Sequence, residues 1–252
     1  MSKTDGYRIY AIGDIHGCLD ELVEMQTRIK ADLLTHPHAK PLVVYLGDYI
    51  DRGPDCRGVI ENLMAANTPE LPARFLYGNH DSYLKNFLSE PLGMHGCQLH
   101  WLDDRMGGPA TLASYGVEGA TVENALEMRN AFKAALPVAH YDWVEACERS
   151  FLLGGYFFVH AGVNPERPLD DQDEFDLIWI RKPFHQHKGD FGAIVVHGHT
   201  PVKEVENHGN RIDVDTGAVF GRKLSCIVLE DDKQDLLERE GRVACPVGHG
   251  LK

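Results

Sequence analysis

The feature that most constrains this chain is one local pattern used repeatedly: a short apolar run stops at a glycine and is followed at once by residues able to bind a metal. Residues 8–13, 41–47, 73–78 and 193–198 are runs of this kind, and their largely unbroken apolar character suits strands buried on both faces. The first two lead into helical periodicities. Residues 18–34 carry Leu19, Leu22, Val23, Met25 and Ile29, and residues 55–66 carry Val59, Ile60, Leu63 and Met64, spaced by helical turns. Strand, helix, strand, helix, strand opens a layered α/β domain, and these strands alone suggest a doubly wound sheet.

Beyond them the rhythm changes. Over 95–149, Gly107-Gly108-Pro109 breaks the chain and 122–136 reads as a helix stopped by Pro137, so this stretch is expected to be an inserted, mostly helical cap. The later part reads as β-rich. Runs 151–153 and 156–159 flank Gly154-Gly155 as a hairpin, a second hairpin is expected around 208–210, and 224–229 is expected to be the last strand. Residues 231–252 are expected to form a C-terminal tail, mobile or wrapped loosely on the surface, within a single domain spanning 1–252.

Each expected strand delivers polar side chains at its C-terminal end, where α/β sheets place ligand sites. Gly13-Asp14-Ile15-His16-Gly17 follows the first, Gly47-Asp48-Tyr49-Ile50-Asp51-Arg52-Gly53 the second, and Gly78-Asn79-His80-Asp81 the third. Phe158-Val159-His160-Ala161-Gly162 and Val196-His197-Gly198-His199-Thr200 follow in the β-rich half. A lone Asp-x-His is weak, and a single histidine in an apolar run is commonly a hydrogen-bonded core residue. Their recurrence after successive strands points to one site built from Asp14, His16, Asp48, Asn79, His160 and His199. Carboxylate, imidazole and amide ligands without thiolate suit Mn, Fe or Zn. Six ligands exceed what one four-coordinate ion uses. Two divalent ions roughly 3.5–4 Å apart, sharing one carboxylate, would use them all.

Composition narrows what such a site can serve. A formal charge of −13 without a basic run disfavours nucleic acid, so positive charge for any bound phosphate must be local. Cys18, Cys56, Cys97, Cys147, Cys226 and Cys245 form no C-x-x-C pair and are read as reduced, mostly buried thiols. No run approaches the roughly 18–20 apolar residues of a membrane span, and the first residues lack an apolar leader, so a cytoplasmic location is expected.

The ordered motifs G-D-x-H-G, G-D-x-x-D-R-G, G-N-H-D, H-A-G and G-H-T resemble those of the calcineurin-like metallophosphoesterases, in particular the bacterial branch of the phosphoprotein phosphatases. The resemblance runs over about 7–230 and includes 107–116 and 213–219. It implies two mixed β-sheets sandwiched between helices in place of a doubly wound sheet. It also implies that Asp14, His16 and Asp48 hold one metal and Asp48, Asn79, His160 and His199 the other, with Asp48 bridging.

Two such ions lower the pKa of a shared water from about 15.7 toward 7, giving a metal-bridging hydroxide for direct in-line attack on a phosphoester. Planar guanidinium groups are natural clamps for phosphoryl oxygens. Arg52 is the first candidate, Arg181 resembles the family's second phosphate-binding arginine, and Asn79 faces the same phosphate. The resemblance pairs Asp51 with His80, whose imidazole is expected to give the leaving group its proton, its protonated form favoured by the carboxylate. His197 is read as structural, and His95, His100, His140, His185 and His187 as surface or cap.

The expected activity is that of a serine/threonine protein phosphatase using two divalent ions, manganese foremost, on a phosphorylated protein or small phosphoester. The alternatives are a symmetrical diadenosine tetraphosphate hydrolase and a non-catalytic metal-bound scaffold. Asp81, giving G-N-H-D, leans to the hydrolase; Asp51 before Arg52 leans to the protein phosphatase.

Overall fold

In the computed structural model, which describes residues 3–89 and 99–250, β1 (Arg8–Ile12) shows why the apolar runs become buried strands. Successive side chains of a strand point to opposite faces. Ile9 and Ala11 join one hydrophobic cluster and Tyr10 and Ile12 another, and both clusters exclude water.

The elements that follow are α1 (Leu19–Thr35), β2 (Pro41–Tyr45), α2 (Cys56–Met64), β3 (Ala73–Phe75) and α3 (Asn79–Ser89). Then come α4 (Gly108–Ser114), α5 (Ala125–Ala135), α6 (Val138–Glu145), β4 (Ser150–Leu153), β5 (Tyr156–Val159), α7 (Glu174–Trp179) and α8 (Lys182–Gln186). The chain closes with β6 (Ile194–His197), β7 (Glu206–Asn207), β8 (Arg211–Asp213), a 3₁₀ turn (Ala218–Phe220), β9 (Cys226–Glu230), β10 (Lys233–Glu238) and β11 (Gly241–Ala244).

Two mixed sheets result, one six-stranded in the order β11-β10-β9-β1-β2-β3, the other five-stranded in the order β4-β5-β6-β8-β7. The parallel start β1-β2-β3 is as the first strands suggest. The doubly wound sheet does not form, because β9 pairs antiparallel to β1 on its other edge, Ile9 facing Leu229. Ile9, Ala11, Leu42 and Val44 of one sheet and Phe158, Val196 and Ile212 of the other share a cluster, the layer between the sheets. The opposite faces join the helices: Tyr10, Val43 and Tyr45 cluster with Leu22, Met25, Val59 and Leu63, and Phe157 and Val195 with Leu177 and Phe184. No described helix is long and apolar enough to cross a membrane.

The described part of the expected cap holds α4, α5 and α6; His95 and Cys97 lie outside the described residues. The other five cysteines are free and buried. His140, expected at the surface or in the cap, is buried and shares a 2.9 Å hydrogen bond between its Nδ1 and Tyr115 Oη.

The segment after residue 230 differs from expectation. It is neither mobile nor a loose wrap over its first half, because β10 and β11 extend the six-stranded sheet, with Leu236 facing Ile227. The short runs of alternating polarity in 233–244 conceal this pairing. A polar network locks it: Arg242 on β11 donates from Nε and Nη2 to Asp32 of α1 (2.8 and 2.5 Å) and from Nη1 to Glu230 (2.9 Å). Glu230 also receives both arms of Arg8 at 2.9 Å, and Tyr10 donates to Asp32 at 2.5 Å. Removing one partner of such a buried set strands the other charges, at a cost of about 3–5 kcal/mol. Arg242→Ala should therefore lower the denaturant-unfolding free energy by about 3 kcal/mol. A change within about 0.5 kcal/mol would show β11 to be a dispensable surface strap.

Candidate active site

The strand ends bring the six expected residues together. Asp14 and His16 follow β1, Asp48 follows β2, Asn79 opens α3, His160 follows β5 and His199 follows β6, and all are buried. Reaching one point from several strand ends bends the backbone sharply. Of seven described non-glycine residues with positive φ, five are His16, Asp48, Asp51, Arg52 and His199. Such residues cost about 1–3 kcal/mol each, and persist where the surroundings over-determine them. Close approach also explains two glycines: a Cβ on Gly78 would overlap the Asp48 carboxylate, and one on Gly198 would overlap that of Asp14.

Asp48 is the hub. Its Oδ2 lies 3.5 Å from His16 Nε2 and its Oδ1 3.4 Å from His160 Nε2, so its two oxygens face different histidines. Two groups of potential ligand atoms, each within 4.8 Å, share it: His16, Asp48 and His80, and Asp48, His160 and His199. Asp81 supports the hub by accepting the backbone N–H groups of Asp48, Tyr49 and Gly78, each at 2.9 Å. Of the expected carboxylate and imidazole ligands, Asp14 stands outside both groups, with its carboxylate against the backbone N–H of His199 at 3.2 Å.

The histidines are oriented by their second nitrogens. His16 Nδ1 meets the Ile50 carbonyl at 2.7 Å and His160 Nδ1 the Leu46 carbonyl at 2.8 Å. Each carbonyl requires a hydrogen on Nδ1, which leaves the Nε2 lone pair turned to Asp48, the arrangement common to metal-binding histidines. His160 Nε2 and His199 Nδ1 both face Asn79 Oδ1, at 3.0 and 2.7 Å. A divalent pair fits this donor set: buried carboxylates, pinned imidazoles and an amide oxygen, with no thiolate.

The residues expected to bind phosphate form a second layer. Arg52 spans two imidazoles, Nη1 2.7 Å from His16 Nε2 and Nη2 2.8 Å from His80 Nε2. Arg181 reaches His199, Nε donating to Nε2 at 3.1 Å, in place of an ion pair with the acidic run 170–176. His80 Nδ1 meets Asp51 Oδ2 at 2.6 Å, as the resemblance implies. Asp51 in turn accepts from Trp101 Nε1 at 2.9 Å and Thr111 Oγ1 at 2.7 Å. The cap stretch thus builds the wall behind the His80–Asp51 pair.

Sequence reasoning missed three of these supports. Thr111 and Asp215 lie in stretches that carry the family resemblance, but nothing in their spacing reveals a role. Asp215 is buried, and its charge adds to the desolvation that raises the pKa of Asp14. Trp101 has no signal at all, because its partner is fifty positions away. His197 turns from the cluster to stack edge-on against Phe184, ring centres 4.8 Å apart.

Burial dominates the electrostatics. Asp48 is pushed up to about 8 by desolvation, with the His80 N–H and Arg52 pulling it back. Asp51 and Asp81 are each pushed up to about 7 by burial. Burial lowers His160 to about 4, and holds His16, His80 and His199 well below the ordinary imidazole value. For His80, desolvation and the neighbouring Arg52 both oppose the protonated form that the Asp51 carboxylate is expected to favour.

The family model of the calcineurin-like phosphoesterases matches residues 7–237. Relatives include the bis(5'-nucleosyl)-tetraphosphatase PrpE [asymmetrical] of Oceanobacillus iheyensis, 30% identical over 243 residues, covering 86% of this chain and 87% of the relative. The protein of the same name from Anoxybacillus flavithermus is 28% identical over 236 residues, covering 86% and 88%. Among solved structures, the cold-active protein-tyrosine phosphatase of a psychrophilic Shewanella species superposes with a TM-score of 0.62 at 17% identity, over 95% of this chain and 80% of the other. That likeness concerns the fold alone.

A pH dependence follows from the buried carboxylates. Above the ordinary imidazole value of 6.5, the histidines are largely neutral both folded and unfolded and add little slope. Asp48, Asp51 and Asp81, ordinarily at 3.8, are ionised in the unfolded chain, yet the fold retains their protons until about 7 to 8. The folded state then binds more protons, so its stability falls as pH rises. EDTA-treated protein should lose thermal stability from about pH 6.5 to 8, on the order of 2 kcal/mol for a single carboxyl titrating near 8. Saturating manganese should raise Tm more at the upper end. A flat Tm across that window would refute the buried-proton account.

Proposed function

The chain belongs to the calcineurin-like phosphoesterase family, and from that premise we propose that it hydrolyses the polyphosphate bridge of dinucleoside polyphosphates. The reading draws support from relatives named bis(5'-nucleosyl)-tetraphosphatases, which match over most of both chains. The structural observation that carries it is beside Arg52. A cleft of about 430 Å³ there is lined by Arg52, Arg105, Pro109, Val219 and Phe220. Phe220 is 58% exposed, with the Arg52 guanidinium 5.7 Å from its ring centre. An exposed ring next to a phosphate-binding cation offers a nucleobase a stacking face, worth about 1–3 kcal/mol per base. A phosphoserine side chain has no plane to place there.

In this reading Asp14, His16, Asp48, Asn79, His160 and His199 hold two divalent ions, manganese foremost, which when bound supply Lewis acidity and activate a water. Arg52 and Arg181 bind and orient the phosphoryl oxygens, on which negative charge is spread during transfer. Asn79 positions the same group. Asp51 holds His80 through Nδ1, so that Nε2 faces the phosphoryl site, where it positions the leaving group and, once the imidazole is protonated, can pass it a proton.

A second reading, phosphoprotein hydrolysis, is favoured by that Asp51–His80 pair, because a serine alkoxide needs a proton more than a nucleotide leaving group does. A phosphate that leaves has a second pKa of about 6, so it departs as the anion. Turnover of diadenosine tetraphosphate and of a phosphoserine peptide, at matched enzyme with manganese, separates the readings. Preference for the dinucleotide is expected, with AMP plus ATP as products of asymmetrical cleavage and two ADP as those of symmetrical cleavage. Preference for the peptide would overturn the proposal. His80→Asn should lower peptide turnover by about 10²- to 10⁴-fold with metal content retained, and dinucleotide turnover less. Phe220→Ala should raise KM for the dinucleotide and leave that for p-nitrophenyl phosphate unchanged.

A further inference from the structure

A second histidine cluster lies away from the site just described, on the outer face of the five-stranded sheet. His197 ends β6 and Asp213 ends β8, directly opposite each other in the parallel pairing, and His185 of α8 packs over His197 with ring centres 5.8 Å apart. One nitrogen of each imidazole and one Asp213 oxygen all lie within 4.8 Å of one another. His197 is 0% exposed and Asp213 3% exposed.

The hydrogen bonding of this cluster is incomplete. His197 Nδ1 meets the Gly198 carbonyl at 3.1 Å and lies 4.0 Å from Asp213 Oδ2; with the hydrogen on Nδ1, Nε2 keeps a bare lone pair. That Nε2 is sealed from solvent without a partner, and so is His185 Nε2. Beside them Arg211 bonds His208 through Nη2 at 3.1 Å, while its Nε and Nη1 also lack partners. Leaving a buried polar group unpaired costs about 1–3 kcal/mol, so four such nitrogens in one neighbourhood call for a ligand.

We infer that His185, His197 and Asp213 form a further divalent-metal site, suited to zinc. Two imidazoles and one carboxylate make a borderline N/O set with a fourth position open to water or an anion. A ligand at that position supplies an acceptor for the orphaned guanidinium donors of Arg211 and offsets the positive charge of the ion beside it. Ligand atoms about 2.1 Å from a tetrahedral ion lie about 3.4 Å apart, so the side chains close by about 1 Å on binding. His185 is half-buried on a five-residue helix, short enough to make that movement. The ion would tie α8, which follows Arg181 directly, to the strand that delivers His199.

Zinc content after loading and desalting tests this. The native chain should retain about one ion per chain more than His185→Gln, and Asp213→Asn should show the same loss. Asp48→Asn, which weakens the site at the strand ends, should keep the additional ion. Cobalt loaded into that variant should give visible absorption of a low-coordinate N/O site, absent once His185→Gln is added. Equal zinc content in the native chain and His185→Gln would overturn the inference and assign the orphaned nitrogens to buried water. Because His185 is only half-buried, whereas Asp213 is buried, its replacement keeps the test valid even where Asp213→Asn fails to fold.

Discussion

Much of this structure depends on the burial of one carboxylate, Asp48, between two sets of histidines. Its oxygens point to His16 on one side and His160 on the other, and burial, foremost among the causes, pushes its pKa up to about 8. A buried carboxylate is costly unless cations or hydrogen bonds compensate it. The surroundings accordingly converge on it: the N–H of His80 donates to Oδ1 at 2.9 Å, Asp81 clamps the backbone on either side, and Gly78 gives up its side chain to make room. A divalent pair would complete the compensation, which explains why the protein accepts left-handed conformations at five site residues.

The two mixed sheets make this convergence possible. Strands from both sheets end at the same edge of the sandwich, so Asp14 and Asp48 come from one sheet and His160 and His199 from the other. The shared inter-sheet cluster, with Ile9, Val44, Phe158 and Val196, fixes those edges relative to each other. Packing is thus what holds the ligands in register, since interiors at crystal-like density resist small displacements. The overall charge of −13 has little bearing on the site, where Arg52 and Arg181 supply positive charge at hydrogen-bonding distance.

In the proposed reading, specificity resides at the periphery. The stretch that supplies Trp101 and Thr111 to Asp51 also supplies Pro109 to the cleft beside Arg52, so one segment both orients His80 and shapes where a substrate extends. Across that cleft stands Phe220, presented by a short 3₁₀ turn. Such residues lie outside the metal-binding turns, and they bear on the choice between a nucleotide and a phosphoprotein.

The sequence by itself determined the six strand-end residues and the short buried strands that carry them. Both are local signals: a glycine turn after an apolar run needs no partner to be visible. It also made the Asp51–His80 pair readable through family resemblance. Only the tertiary structure decided what depends on distant pairing. β10 and β11 extend the sheet because Arg242 finds Asp32 and Glu230, an attraction invisible in 231–252 alone. Trp101 supports Asp51, His185 meets His197 and Asp213, and Asp14 stands apart from the two three-residue ligand groups, for the same reason. His80 is pushed well below the ordinary imidazole value by burial and then by Arg52, and desolvation is a property of the assembled interior that no spacing of residues records.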